Sequence, residues 1–276
     1  EICAITPFSF LKKGCFLLVG SPLKGTFTQI GGPIYSDELN DLEKYKVITS
    51  IEEKLKRYSF YVEWSPNIEV KVNNFPSKYL FSEYRTLTID ISKGELALWN
   101  SFQSRARNMI RKAEKFGLKA EIRKPNKSWF KNFYELLRQV YKKQNKIPPH
   151  PLSFYFNLCS LKNNQICCID VIHENDMIAA GIFIIDRKKL IFLSGASNII
   201  GNKLSAPSLI QWSAMRYVLD KVYIYDMGGI GVSSIDRFKK SFGGRVYSSQ
   251  KIIRTNFLYK FLEPIVIFIK KYFNIF

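Results

Sequence analysis

Two stretches of the chain concentrate groups that can do chemistry. The first runs from Val222 to Arg245 and reads VYIYDMGGIGVSSIDRFKKSFGGR. A β-branched and aromatic run ends in Asp226, followed by Gly228, Gly229 and Gly231. Phe238-Lys239-Lys240-Ser241-Phe242 then closes on Gly243-Gly244. The pattern predicts a strand, a tight turn, a short basic helix and a second turn. Glycines let the backbone take positive φ and approach a ligand closely. Cations such as Lys239 and Lys240, just beyond such a turn, suit an anionic substrate or an oxyanion formed during reaction. Asp226 falls at a strand's carboxyl end, where α/β folds place ligands. It could hold an acceptor amine or take its proton. It could equally cap the Gly228-Gly229 turn through its own backbone. Both glycines read as conformational. Phe238 and Phe242, four apart, share one helical face and read as core.

The second stretch is Arg105 to Gly117, RARNMIRKAEKFG. Arg107, Arg111 and Lys115 recur every four residues and form one ridge, with Lys112 beside it. Arginine's planar fork suits bidentate phosphate contact. The competing explanation is a solvated helix face, but such faces interleave signs for i,i+4 support. Here Glu114 is the main acid among the cations.

The rest of the inventory excludes several chemistries. There are two histidines, His150 and His173, neither near a nucleophile motif. No G-x-S-x-G, H-E-x-x-H or Walker sequence occurs, which argues against serine and zinc hydrolases. Acyl transfer by direct amine attack needs neither a covalent nucleophile nor a metal. It needs a positioned amine, a route for its proton and donors for the oxyanion. The formal charge of +19 implies an anionic partner: tRNA, a nucleotide- or pyrophosphate-linked precursor, or an acidic membrane surface. The cysteines, Cys3, Cys15, Cys159, Cys167 and Cys168, are odd in number and lack metal-ligand spacing. They read as small hydrophobes in a reducing cytoplasm. Glu1 to Ser21 lacks a basic n-region and a small-residue cleavage site, so it does not read as a signal peptide. Opening at Glu1 rather than Met, the chain reads as lacking its first residues. No apolar run reaches the ~18–20 residues of a membrane span.

Trp99-Asn100 followed by Arg107-Asn108-Met109-Ile110-Arg111-Lys112-Ala113-Glu114 resembles the "W…R-N-x-I-R-K-A-E" helix of the Fem-type aminoacyltransferases. Tyr225-Asp226-Met227-Gly228-Gly229 followed by Phe238-Lys239-Lys240-Ser241-Phe242-Gly243-Gly244 is similar to their "Y-D-F-G-G…F-K-x-x-F-G-G". The likeness covers roughly Tyr84 to Ile253 and departs at Met227, where phenylalanine is usual. It implies a GNAT-like acyltransferase fold, an α/β mixed sheet. It further implies transfer of an amino acid from aminoacyl-tRNA to an amine of a cell-wall precursor peptide. No bound cofactor is expected. By the same resemblance Lys239 would stabilise developing negative charge or a phosphate; Asp226, from its place at the strand end, is the second catalytic candidate. Arg107, Arg111, Lys112, Lys115, Gly228, Gly229, Lys240 and Gly243 would then contact substrate. Acetyl-CoA is the alternative donor, to an amino sugar or peptide. GNAT enzymes bind the CoA pyrophosphate with Q/R-x-x-G-x-G/A; in the loop Ser197 to Lys203 only Gly201 fits, which favours a non-CoA donor. A different class altogether is a basic RNA- or membrane-binding module that has lost the chemistry.

The elements that must position these residues follow from periodicity. Strands are expected at Cys15–Gly20, Thr26–Pro33, Phe60–Trp64 and Tyr84–Ile91, and a helix over Asp37–Tyr58. One long helix is expected from Ser92 to Gly117, with Ser92 as cap and Glu95 three residues on. A strand at Leu118–Arg123 and helices at Trp129–Lys146 and Leu152–Leu161 lead into an antiparallel meander: Ile166–His173, Met177–Asp186, Lys189–Ser194. A helix at Ser205–Lys221, with Pro207 in its first turn, returns into the strand ending at Asp226. Arg245–Ile253 is a last strand. The domains expected are a partial GNAT-like domain over 1–92, a complete one over 93–256, and an apolar helix over 257–276. That last helix either packs on the protein or lies on an anionic membrane. The location implied is cytoplasmic, with peripheral membrane contact as an option.

Overall fold

The computed structural model describes residues 2–13, 16–22, 31–56, 61–66, 79–162 and 164–262. The chain divides into two compact units, residues 1–84 with 248–276, and residues 85–247. Most of the expected strand at Thr26–Pro33 and of the helix at 257–276 lies outside the described residues, and residues 31–33 are not strand.

The first unit holds β1 (Ala4–Ile5), β2 (Ser9–Lys13), β3 (Phe16–Ser21), β4 (Ile34–Tyr35), α1 (Asp41–Lys56), β5 (Tyr61–Trp64) and the start of β6 (Tyr79–Asp90). β1 pairs with β4. β2 and β3 are antiparallel, and β3 and β5 are parallel, as a helical crossover between them requires. α1 makes that crossover and buries Ile48 and Leu55 against Val19, Val62 and Trp64. Glu52 of α1 is buried and accepts from Trp64 Nε1 and Arg254 Nε, so its charge is paired where it leaves water.

The second unit continues from β6 through α2 (Glu95–Ser101), α3 (Ser104–Lys115), β7 (Ala120–Arg123), α4 (Lys127–Lys142) and α5 (Leu152–Asn157). Then come β8 (Ile166–His173), β9 (Asp176–Asp186), β10 (Lys189–Ser197), α6 (Ile199–Lys203), α7 (Ala206–Tyr217), β11 (Ile224–Gly229), α8 (Ser233–Lys240) and the start of β12 (Arg245–Thr255), which from Ser248 on belongs to the first unit. Within this unit the strand order is β6-β11-β10-β9-β8-β7. All neighbours are antiparallel except β10 and β11. The fold is a mixed α/β sheet, as the resemblance implies.

The strands' two-residue period assigns side chains to faces. Cys167, Ile169 and Val171 of β8 join a core with α3 and α7. Asp170 points the other way and takes Trp129 Nε1 of α4 at 2.7 Å. Cys167 and Cys168 are both buried, and burial pushes the Cys167 thiol up to about 12. Cys3 is exposed and Cys159 half-buried, so the expectation of buried cysteines holds for the adjacent pair alone among those described.

Three local expectations are corrected. The long helix from Ser92 is broken at Phe102, whose ψ is 144°. Phe102 is buried with its ring 5.4 Å from Trp212 and 5.2 Å from Phe242, and Gln103 N–H donates to the carbonyl of Ser241. Tertiary packing there outweighs helical continuity. Ser92 binds Asp90 rather than capping the helix, and Gly94 stands at the cap. The expected loop Ser197 to Lys203 is mostly a short helix, α6, capped by Asn198.

Phe242 is fully buried between Phe102 and Phe238. Phe242→Ala is expected to cost about 3–5 kcal/mol, read as a lower urea midpoint at unchanged m-value. A loss under about 1 kcal/mol would show that α8 is not anchored there.

Candidate active site

β10 and β11 pair as parallel neighbours at Lys189↔Ile224, Leu190↔Tyr225 and Ile191↔Asp226. Beyond those rungs they separate. β10 runs on to Ser197 beside β9, with an irregularity between Phe192 and Ser194, and β11 runs on to Gly229 beside β6. A wedge therefore opens at the carboxyl ends of two parallel strands, where backbone groups lose their ladder partners and ligands are commonly received.

The turn after β11 is built from its own residues. Gly228 has φ +81°, a conformation that favours glycine, and its N–H donates to Asp226 Oδ1 at 2.8 Å. Asp236 accepts from Gly231 N–H at 2.9 Å and from Val232 N–H at 3.3 Å, which ties the turn to the start of α8. Phe238 and Phe242 hold α8 down, ring centroids 5.3 Å apart. Gly243 and Gly244 follow at φ +76° and +87°. A Cβ on Gly244 would lie 2.4 Å from the carbonyl oxygen of Thr88, so the chain leaves α8 by a route that only glycine fits.

This frame buries Lys239, which is 8% exposed. Its Nζ donates to the carbonyl oxygen of Gly229 at 2.7 Å. Burial lowers the pKa of Lys239, opposed by the charges of Asp226 and Asp236. Burial raises the pKa of Asp226, offset by the Gly228 N–H and by Lys189 and Lys239. Each group is thus drawn toward its neutral form, the shift that acid–base chemistry near neutral pH uses.

Lys239 lines a cavity of about 260 Å³ between the diverging strands, walled by Ala196, Ser197, Ile210, Gln211, Met227 and Phe238 among others. A second hollow of about 360 Å³ shares Asn202, Pro207, Ile235 and Phe238 with it and adds Arg105, Met109, Ser205, Ser208 and Ser234.

Asp226, Gly228, Gly229 and Lys239 meet at one turn. Gly243 shapes the exit from α8, and Lys240 is exposed. The α3 cations distribute differently from the expected ridge. Arg107 Nη1 donates to the carbonyls of Phe102 and Asn100 and so caps the broken end of α2. Arg111 lies over the Trp99 ring at 5.4 Å. Lys112 and Lys115 are exposed. Arg105 is the α3 cation that shares a hollow with α8 residues. At about 100° per residue Arg105 and Met109 fall together, about 200° from Arg107. That spacing is legible in the sequence, where the four-residue repeat of Arg107, Arg111 and Lys115 marks the other face. Gln211 lies inside a helix that reads as apolar, so the sequence carries no signal for it.

The mixed sheet thus has one splayed parallel pair, with a buried amine and carboxyl at the splay. Residues 160–250 match the family model described as "FemAB family". This matched region, about a third of the chain, is similar to that family and holds the cavity walls of β9–β11 with Asp226 and Lys239; the protein is an acyltransferase. No curated protein matches the sequence. The crystal structure of FemX superposes with a TM-score of 0.70 at 14% identity, over 95% of this chain and 88% of that one. The C-terminal domain of a putative lysylphosphatidylglycerol synthetase from Agrobacterium fabrum gives 0.61 at 11% identity, over 95% and 85%. L-PGS from Bacillus licheniformis gives 0.56 at 11% identity, over 92% and 82%. At these identities the structural likeness concerns the fold. No helix among the described residues is long and apolar enough to cross a membrane.

An amine whose pKa burial lowers holds its proton less tightly in the folded state than in the unfolded one. The unfolded chain then binds more protons, so stability rises with pH from the depressed value up to the ordinary 10.5. The Tm of the wild type, relative to Lys239→Met, is expected to rise between about pH 7 and about pH 10. A gap that falls over that range would mean the folded state raises the lysine pKa.

Proposed function

We propose that the protein transfers an aminoacyl group from aminoacyl-tRNA to an amine of a cell-envelope precursor. The observation that carries this is Lys239, buried at the wedge with its ammonium on the Gly229 carbonyl and Asp226 alongside in charge. The acceptor amine attacks the ester carbonyl carbon of the donor. A C–N bond forms while the carbonyl π pair moves onto oxygen, and the Lys239 ammonium stabilises that oxyanion. The attacking nitrogen yields a proton to Asp226, whose raised pKa suits it to hold one. Collapse breaks the C–O ester bond, and the departing ribose hydroxyl takes the proton.

Features around α6 favour a non-CoA donor. Gly201 N–H donates to Asn198 Oδ1, Asn202 N–H to the Asn198 carbonyl, and Ser208 N–H to the Ser205 carbonyl. These amides are spent inside the protein rather than left for a pyrophosphate. Gly201 itself is explained by packing, since a Cβ there would lie 2.4 Å from the Ile178 carbonyl oxygen. The net charge of +19 supports a salt-sensitive hold on RNA and on an anionic nucleotide- or lipid-linked acceptor. Exposed Phe257, Leu258 and Phe261 suit peripheral contact with an anionic membrane. We read the first unit as a second, partial GNAT-like domain. Its antiparallel, parallel and antiparallel pairings, with α1 as the crossover, repeat those of β9-β10-β11-β6 with α7.

Purified protein incubated with labelled aminoacyl-tRNA or acetyl-CoA and a panel of amine acceptors is expected to transfer label from the tRNA. Label arriving from acetyl-CoA alone would overturn the donor. No transfer from either donor, with tight salt-sensitive RNA or vesicle binding, would favour the non-catalytic module. Lys239→Met is expected to slow transfer about 10²–10³-fold with the fold intact by circular dichroism. Full activity in that variant would remove Lys239 from the chemistry.

A further inference from the structure

Gln211 stands in the wall of the Lys239 cavity on α7 and is 4% exposed. Burying a carboxamide is unfavourable unless its hydrogen bonds are made. One is made: Gln211 Oε1 accepts the hydroxyl hydrogen of Tyr225. Tyr225 is itself wholly buried on β11, among Phe183 and other core side chains. That bond fixes which end of the carboxamide faces where. Tyr225 has no other acceptor among the described residues for its hydroxyl hydrogen. Turning the carboxamide over would therefore leave a phenolic hydrogen buried without a partner, the expensive arrangement. Burial also holds the phenol far above its ordinary pKa, so the hydrogen stays in place across the working pH range. Nε2, with its two N–H donors, has no bonded partner among the described residues.

We propose that Gln211 Nε2 is a fixed, uncharged donor that receives the carbonyl oxygen of the acyl group in this cavity, alongside Lys239. The proposal rests on the acyl-transfer reading for its role in turnover, though its binding half does not. As the amine attacks and the C–N bond forms, the carbonyl π pair moves to oxygen. The Nε2–H and the Lys239 ammonium share that charge, and Gln211 neither gains nor loses a proton. A donor held by its neighbour costs no reorganisation when the charge appears. A neutral donor also adds stabilisation without a second buried cation beside Lys239. The ligand class is a small acyl group or carboxamide.

The binding half is tested without turnover. Protein labelled with ¹⁵N-glutamine is titrated with acetamide and with acetate, the Gln211 side-chain signal being assigned by its loss in Gln211→Glu. The Gln211 amide is expected to shift saturably while that of exposed Gln165 stays still. A Gln211 signal that does not move with either probe overturns the proposal. The catalytic half uses Gln211→Glu, which keeps the acceptor for Tyr225 and replaces the donors by oxygen. Its kcat for transfer from aminoacyl-tRNA is expected to fall about 100-fold, with KM nearly unchanged. Part of the loss should return as pH falls and the carboxyl regains a proton to donate. A loss that tracks a falling Tm and shows no recovery at low pH makes Gln211 a packing residue and overturns the proposal. If the wild type transfers nothing from either donor, the acyl-transfer reading fails by itself, and the amide titration still decides the subsite.

Discussion

The separation of β10 from β11 after Ile191 and Asp226 is the constraint on which the rest depends. A parallel pair that stays zipped leaves no room between its strands and no backbone group free. A pair that parts must satisfy the exposed groups in some other way. Here the carbonyl of Gly229 takes the amine of Lys239, and the space beside it is the cavity. The same event thus creates the site, sets its depth and places a cation in it.

Keeping that cation buried is costly, and much of the surrounding structure can be understood as making it tolerable. Asp226 and Asp236 oppose the loss of charge on Lys239, and both are fixed by backbone N–H groups of the turn. Phe238, Phe242, Phe102 and Trp212 clamp the helix that carries the lysine. Gly243 and Gly244 let the chain leave that helix close against the carbonyls of Ser101 and Thr88. Breaking α2 from α3 at Phe102 belongs to the same clamp, and Arg107 satisfies the carbonyls that the break exposes. A residue that by type suits phosphate binding is thereby committed to holding the scaffold.

Much of this is legible in the sequence where the signal is local. The β8–β10 meander follows from short apolar runs and polar turns, and the β11 turn from Asp226 and its glycines. The placing of Phe238 and Phe242 follows from four-residue spacing. Contributions from contacts distant in sequence are not legible. Periodicity across Phe102 is continuous, so its extended backbone shows only once Trp212 and Phe242 are in place. Ser197 to Lys203 has the composition of a loop, and its folding into α6 depends on Asn198 capping and on Gly201 fitting against β9. Regular spacing of the α3 cations says that they share a face but not which face meets the cavities, and Arg105 is the one that lines a hollow with α8 residues. Gln211 is invisible for a related reason: its meaning lies in Tyr225, fourteen residues on in another element.

Lys239 sits desolvated at the wedge, its amine on the Gly229 carbonyl and the charge of Asp226 opposing the loss of its own. Its own titration tests this most directly, by competitive acylation of the lysines across pH with the modified peptides counted by mass spectrometry. Lys239 is expected to titrate below the ordinary lysine value, and lower still in Asp226→Asn, where an opposing charge is gone. A Lys239 that titrates at or above the ordinary value, indifferent to Asp226→Asn, would contradict it.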